Sequence, residues 1–366
     1  MPAGPYVIGD WVGDFSLPTS AGKPVKLSQF VGQAVVLLFF GGDAAGAPAA
    51  TAACSALSQA HSKLAALNAP ILAVRQTLDS LGDPSAASAN WPTGDGLPFP
   101  LLLDTGGQLS NLYGAARARA VLVSTNGRIA RIYEPIDQAG LADRIVGDLT
   151  LMATLEPPRV VHQQAPILLI PDVLPSDFCR KLIEVWETQG NQDSGFMVNQ
   201  GDRTVGQYDY NNKIRRDHFI QRGTPLDGEA RGWIARHIIG EVNKSFNYEV
   251  TRVEDMKIAC YDAARGGFFR PHRDNTTGAT AHRRFAVSML LNDDYEGGYL
   301  RFPEYGPNLY RPTGGGACVF GCSLLHEATD VTAGRRFVLL TFLYGEKEAK
   351  LREEYAKRTG GGYRAG

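Results

Sequence analysis

Cysteine is scarce in this chain of 366 residues, and its count is odd: Cys54, Cys179, Cys260, Cys318 and Cys322, with no C-x-x-C pair among them. That excludes a disulfide framework and makes reduced thiols the default. No apolar run is long enough to span a bilayer, so no membrane partner is expected. The first residues, MPAGPYVIGDWVGDF, lack a basic stretch followed by an apolar one, so a cytoplasmic location is expected. Neither sign of charge is in excess: 37 Lys plus Arg stand against 38 Asp plus Glu, a net charge of -1. Without a global basic field, nucleic acid is not expected as a partner. There is no internal repeat.

What is present is the composition of a globular protein, 44% hydrophobic and 20% charged. The length exceeds one ordinary core and points to two domains. Residues 1–154 are rich in Ala, Gly and Leu, whereas residues 166–350 hold most of the Arg, Tyr, Phe and His. Between them, residues 155–165 are polar and interrupted by proline, as a linker would be. Residues 351–366, containing Arg-Thr-Gly-Gly-Gly at 358–362, read as a C-terminal tail.

In the first half, residues 35–40 (VVLLFF) form a continuous apolar run ended by Gly41 and Gly42, suited to a strand buried on both faces. Residues 47–67 place apolar side chains at helical spacing. Residues 71–75 predict a second buried strand. Residues 119–124 and 128–133, split by Thr-Asn-Gly, predict a hairpin, and residues 141–151 a closing helix. This order predicts an α/β three-layer sandwich of thioredoxin-like type.

The second half opens with a short strand at 167–170. A helix follows, with Ser176 as its expected N-cap and Gly190 as its stop, and a second helix is expected over 227–247. Short strands then follow at 256–261, 284–291, 299–302, 317–320 and 336–343. Helices first and many short strands after predict an α+β domain built on a jelly-roll, the double-stranded β-helix.

The chemistry concentrates in Phe-Arg-Pro-His-Arg-Asp-Asn at 269–275. On a strand, His272 and Asp274 point to one face, because side chains alternate with period two. A third ligand is offered by His326, about fifty residues downstream. Two imidazoles and one carboxylate on one face leave open positions on a metal, as in non-haem Fe(II) oxygenases. Ten residues after His326, Arg336 opens the apolar run RFVLLTFL. An arginine turned inward there is costly to bury without an anion, and a dicarboxylate would supply one. His218, His237 and His282 read as ordinary surface or core histidines. The polar segment 199–217 reads as a mobile lid.

The stretches KIACYDAARGGFFRPHRDN, FAVSMLLNDDYEGGYLRFPEYG and SLLHEATDVTAGRRFVLLTFLYG together resemble the catalytic core of the prolyl-4-hydroxylase-like 2-oxoglutarate oxygenases. The resemblance implies Fe(II) held by His272, Asp274 and His326, with 2-oxoglutarate and O2 as cosubstrates and ascorbate as a further cofactor. It implies Arg336, with Arg335 as the adjacent alternative, for the far carboxylate of 2-oxoglutarate, and Tyr261 lining that pocket. A tyrosine that assists the arginine in some relatives is replaced by Leu290, so Thr341 or a water is expected to help instead. The implied reaction is hydroxylation of a protein side chain, prolyl by family analogy, with 2-oxoglutarate converted to succinate. A small-molecule hydroxylase of the same chemistry is the alternative.

The segment GDWVGDFSLPTSAGKPVKLSQFVGQAVVLLFFGGD and the later RARAVLVSTNGRI resemble peroxiredoxins, with Arg119 at the family's arginine. Alignment on the residues at 40–43 puts Pro48 where the reactive cysteine belongs and Ala45 where its threonine belongs. The resemblance implies a degenerate peroxiredoxin-like domain serving as a homodimerisation, recruitment or scaffolding unit. A thiol peroxidase or redox adaptor working through Cys54, and a non-catalytic binding module, are the readings from other classes.

Overall fold

The computed structural model describes residues 4–42, 46–76, 90–136, 140–153, 160–201 and 203–359. Ala45, Asp43, the linker residues 155–159 and the tail residues 360–366 lie outside the described residues. The chain divides into two compact units, Met1–Arg159 and Val160–Gly366.

The first unit is built on a sheet whose strands run Leu101–Asp104, Ile71–Gln76, Val35–Phe39, Arg119–Val123, Ile129–Tyr133 in spatial order. The first three are parallel and the last two join antiparallel. Val35–Phe39 is central and buried throughout, as its unbroken apolar run predicts. Val36 and Leu38 pack on one face with Ala50, Ala53, Leu57 and Ile145 of the helices Gly46–Gln59 and Leu141–Ala153. Val35, Leu37 and Phe39 face the other way, against Tyr6, Val12, Leu109 and Tyr113. These are the three layers of a thioredoxin-like sandwich. The helix expected over 47–67 is two helices, Gly46–Gln59 and His61–Ala66, parted at Ala60.

The second unit is a two-sheet jelly-roll with helices against its larger sheet. That sheet runs Ile167–Ile170, Ala317–Gly321, Phe285–Leu290, Val331–Tyr344, Lys257–Asp262, Arg216–Phe219, Gln192–Asp193. The smaller sheet runs Lys213–Ile214, Phe268–His272, His326–Ala328, Leu300–Arg301, Leu309–Tyr310. Ile258, Cys260, Phe337 and Leu339 pack outward, against Phe178 and Leu182 of the helix Ser176–Thr188 and Ile234 and Ile238 of the next helix. The alternate residues face the space between the sheets, where the chemistry lies.

Local details differ from the sequence expectation for identifiable reasons. The cap of Ser176–Thr188 is Pro175, not Ser176, and its extended backbone (φ -61°, ψ 149°) suits proline. The next helix begins at Pro225, two residues earlier than expected, because Thr224 accepts a hydrogen bond from the Asp227 N–H and proline takes the first turn. It continues through a π-helical turn, Ala235–Ile239, to Phe246. The strand expected at 336–343 spans Val331–Tyr344. In place of the tail expected from residue 351, the helix Glu346–Thr359 closes the described chain.

Candidate active site

His272 ends the strand Phe268–His272 and pairs across the smaller sheet with His326, the first residue of His326–Ala328. Asp274 lies beyond the strand, so strand alternation does not place it. Its backbone N–H donates to the Cys322 carbonyl at 3.0 Å, which pins the turn and brings the carboxylate back between the imidazoles. Candidate ligand atoms of the three residues lie within 4.8 Å of one another.

Backbone carbonyls orient both rings. His272 Nδ1 sits 2.8 Å from the Arg270 carbonyl and His326 Nδ1 3.0 Å from that of Leu324. A carbonyl only accepts, so each Nδ1 carries a proton and each Nε2 is turned toward Asp274. The Nε2 atoms lie 3.6 Å and 3.4 Å from the two oxygens of Asp274. Burial pushes His326 down to about 4, against the pull of Asp274, so the ring is neutral at pH 7. Burial would raise Asp274, but His326 and His272 outweigh it and hold the carboxyl well below its ordinary range. Phe269 stacks on His272 with ring centroids 3.4 Å apart, and Phe320 stands edge-on to His326 at 4.6 Å. The result is two imidazoles and one carboxylate in a fixed frame, able to hold a divalent cation.

Arg336 and Arg335 are separated by strand alternation. Arg335 turns out and pairs with Glu187 at 2.8 Å. Arg336 turns in, is 4% exposed, and has its Nε buried without a partner among the described residues. Its guanidinium lies 5.1 Å from the ring centre of Tyr261, its cross-strand neighbour. Gly298 makes room for it: a Cβ there would meet Arg336 Cδ at 2.8 Å and Val331 Cγ2 at 2.9 Å, and its φ of +61° itself favours glycine. Arg336, Tyr261, His272, Asp274 and His326 line one cavity of about 500 Å3.

Thr341 is not brought to Arg336. Five residues apart on one strand, the two lie on opposite faces, and the Thr341 hydroxyl donates to the Glu254 carbonyl at 3.0 Å. Leu290 packs beside Tyr261 and Val338. Arg270 is drawn into an ion pair with Asp330, while Arg273 and Thr276 reach the cavity wall. His282 and His237 are buried, His282 with Nε2 2.6 Å from Glu254, and His218 lies near the Gly190 carbonyl.

Sequence reasoning missed the polar wall opposite Arg336. Arg215 sits where the chain passes from the smaller sheet to the larger. It donates through Nε and Nη2 to Asp217, at 2.7 Å each, and through Nη1 to the Tyr261 hydroxyl at 3.2 Å. Lys213 Nζ donates to Ser194 Oγ at 2.8 Å and to the Gly195 carbonyl at 2.6 Å, with the Phe269 ring 4.7 Å away. Lys257 Nζ lies 3.7 Å from Asp217. The signal was Lys213-x-Arg215-x-Asp217, a period-two pattern whose charges face inward. The expected lid, 199–217, is therefore partly wall: its first part belongs to the hairpin Phe196–Gln200 and Arg203–Gln207, and its last part to both sheets.

In the first unit, Pro48 lies within the helix Gly46–Gln59, where the peroxiredoxin cysteine was expected. Cys54 is 3% exposed, and burial pushes its thiol up to about 12, the opposite of an activated thiolate. Arg119 is engaged by Glu134 and by the Tyr113 carbonyl. All five cysteines are free and buried.

Comparison with known proteins agrees with both halves. Residues 8–133 match the model of the AhpC/TSA family, and residues 256–344 that of the 2OG-Fe(II) oxygenase superfamily. A PKHD-type hydroxylase of Caulobacter sp. (strain K31) is 29% identical over 188 residues, 46% of this chain and 74% of that protein. A Trichoplax adhaerens prolyl hydroxylase, solved with a hypoxia inducible factor oxygen degradation domain peptide, is 19% identical, with a TM-score of 0.42 over 51% of this chain and 87% of that one. Peroxiredoxin Q of Xanthomonas campestris is 20% identical, with a TM-score of 0.30 over 38% of this chain and 92% of that one. The chain carries an AhpC/TSA domain in its N-terminal half and a 2OG-Fe(II) oxygenase domain in its C-terminal half.

Proposed function

We propose that the second unit is a 2-oxoglutarate-dependent dioxygenase that hydroxylates a protein side chain, with His272, Asp274 and His326 holding Fe(II) and Arg336 holding the far carboxylate of 2-oxoglutarate. One observation carries the reading. A frame of two imidazoles and a carboxylate shares its cavity with a buried arginine that has no acidic partner among the described residues. A buried guanidinium without an anion is expensive, so this site is built to receive one.

The residues fit the metal that the family implies. Both Nδ1 atoms are turned to backbone carbonyls, both Nε2 atoms face the ionised Asp274 carboxylate, and the donor set is the one associated with non-haem Fe(II). When bound, Fe(II) with O2 and 2-oxoglutarate supplies the oxidation, giving succinate, carbon dioxide and a hydroxylated carbon. The chain's own residues position and shield. Arg336 fixes one end of the cosubstrate by paired N–H donors, and Tyr261 walls the pocket beneath it. The Arg270 and Leu324 carbonyls lock the tautomers of the ligands. Phe269 and Phe320 exclude water from the imidazoles.

A protein substrate, prolyl by resemblance, is the closest reading of the specificity, and the first unit would serve as a recruitment or homodimerisation module. The test is the stoichiometry of succinate formed to O2 consumed, with Fe(II) and 2-oxoglutarate supplied. Equal amounts in the wild type and none in His326→Ala support the reading; succinate formed equally by both proteins refutes it.

A further inference from the structure

The wall opposite Arg336 has a charge imbalance. Lys213 and Arg215 are 5% and 7% exposed, and Lys257 joins them on the cavity side of the larger sheet. Three cations converge there on the single carboxylate of Asp217, whose oxygens are already taken by Arg215 and by the Ser194 hydroxyl. Asp193, which also lines the cavity on this side, is held by Arg265 and Tyr210, and Asp274, which also acts on both lysines, belongs to the ligand set. Lys213 and Lys257 are thus left in a desolvated wall with no carboxylate of their own among the described residues. Burial, and then the neighbouring Arg215, lower Lys213 well below its ordinary range; burial brings Lys257 down to about 8.

The cosubstrate does not remove this excess. Under the oxygenase reading, Fe(II) with Asp274 carries one positive charge, Arg336 another, and dianionic 2-oxoglutarate cancels both. Glu254 is likewise matched, by Arg283 with His282 beside it. What remains is the Lys213, Arg215 and Lys257 wall. Phe269 links it to the ligands, with Lys213 over one ring that itself stacks on His272.

We infer that the primary substrate carries a carboxylate next to the carbon that is oxidised, and that Lys213 and Lys257 receive it, with Arg215 held in place by Asp217. The inference rests on the oxygenase reading for the position of the oxidised carbon. The carboxylate can belong to an acidic side chain in a protein or to a small organic acid. Either restores neutrality in a wall where an unpaired charge is otherwise costly.

The experiment is calorimetry on the full chain, anaerobic and loaded with Fe(II) and 2-oxoglutarate. The probes are acetate against acetamide, and a terminally blocked proline peptide with a neighbouring Asp against its Asn twin. Binding of the acids but not their amides, weakened about tenfold or more in Lys213→Met and in Lys257→Met, is expected, a change of about 1.4 kcal/mol or more. Binding of acetate alone assigns a small-molecule source, and binding of the Asp peptide a protein source. Amides that bind as well as acids, or no binding by any probe, overturn the inference. The charge-transfer band of the Fe(II) and 2-oxoglutarate complex, read in the same samples, separates the two claims, since its absence is a failure of the oxygenase reading instead. Lys257→Met should melt no lower than the wild type without probe, because it removes a buried ammonium that only shares Asp217; large destabilisation by that variant would show that the lysine serves the fold and would also overturn the inference.

Discussion

Arg336 and Tyr261 are cross-strand neighbours in the larger sheet, and the guanidinium lies 5.1 Å from the centre of the phenol ring with no carboxylate paired to it among the described residues. On the other side of the same tyrosine, Arg215 donates to its hydroxyl at 3.2 Å. Tyr261 therefore stands between one arginine that is satisfied by the protein and one that has no acidic partner among the described residues. Replacing Arg336 by Gln should weaken 2-oxoglutarate binding by about 1.5–3 kcal/mol, roughly 10- to 160-fold, as loss of a charge-assisted contact implies. Titration of 2-oxoglutarate into the metal-loaded protein reads this directly, and unchanged affinity would remove Arg336 from the cosubstrate site. Arg335→Gln, which loses only the exposed Glu187 pair, should leave that affinity as it was.

Acid stability gives a second prediction. Burial would raise the Glu254 carboxyl, but Arg283 and His282 outweigh it and hold the group at about 2, below its ordinary 4.5. With the folded value the lower of the two, this stabilisation is full above pH 4.5 and is lost as pH falls through 2. Its upper bound is on the order of 3 kcal/mol. Melting curves of the wild type between pH 5 and pH 2 should fall more steeply than those of Glu254→Gln. Parallel curves would mean that the carboxylate is not held as its partners imply.

The C-terminal helix clasps the hairpin over the cavity. Tyr355 Oη accepts from the Thr204 N–H at 2.9 Å, while the Ala279 N–H donates to Thr204 Oγ1 at 3.1 Å. The tyrosine ring fits because residue 278 is glycine: a Cβ there would stand 2.5 Å from Tyr355 Cε2. Gly278→Ala should cost about 1–3 kcal/mol through forced displacement of the ring. Tyr355→Phe, which loses one hydrogen bond, should cost about 0.5–1.5 kcal/mol. Both should speed proteolysis within the hairpin Phe196–Gln207. If neither variant alters melting or cleavage, the clasp does not hold the hairpin.

Peroxide chemistry should be absent from Cys54. Its thiol is buried and pushed up to about 12, and Pro48 stands where a reactive cysteine was expected. Peroxide consumption by the full chain should be identical in the wild type and Cys54→Ser, and a loss in the variant would restore the peroxidase alternative.

The ease with which these features were read from sequence follows from their physics. Val35–Phe39 was legible because a strand buried on both faces must be apolar throughout. His272 and His326 were legible from the His-x-Asp spacing and a third ligand about fifty residues on, and Arg336 because an arginine turned inward in an apolar strand is costly unless it has a role. Asp274 lies past its strand, and a hydrogen bond to Cys322 from a distant part of the chain places it, so strand alternation was the wrong reason for including it. Lys213, Arg215 and Asp217 were hidden because charged residues read as solvated loop, whereas here they cross between two sheets and turn inward. The helix Glu346–Thr359 was missed because its polar sequence shows little apolar stripe; Glu348 and Tyr355 hold it through polar contacts instead.

The most direct measurement is an anaerobic titration of Fe(II) and then 2-oxoglutarate, followed by visible absorbance, in the wild type and in His272→Ala. A weak charge-transfer band in the wild type that needs both additions and is lost in the variant is the expected result. No band in fully metallated wild type, or an equal band in His272→Ala, would contradict the assignment of the metal to His272, Asp274 and His326.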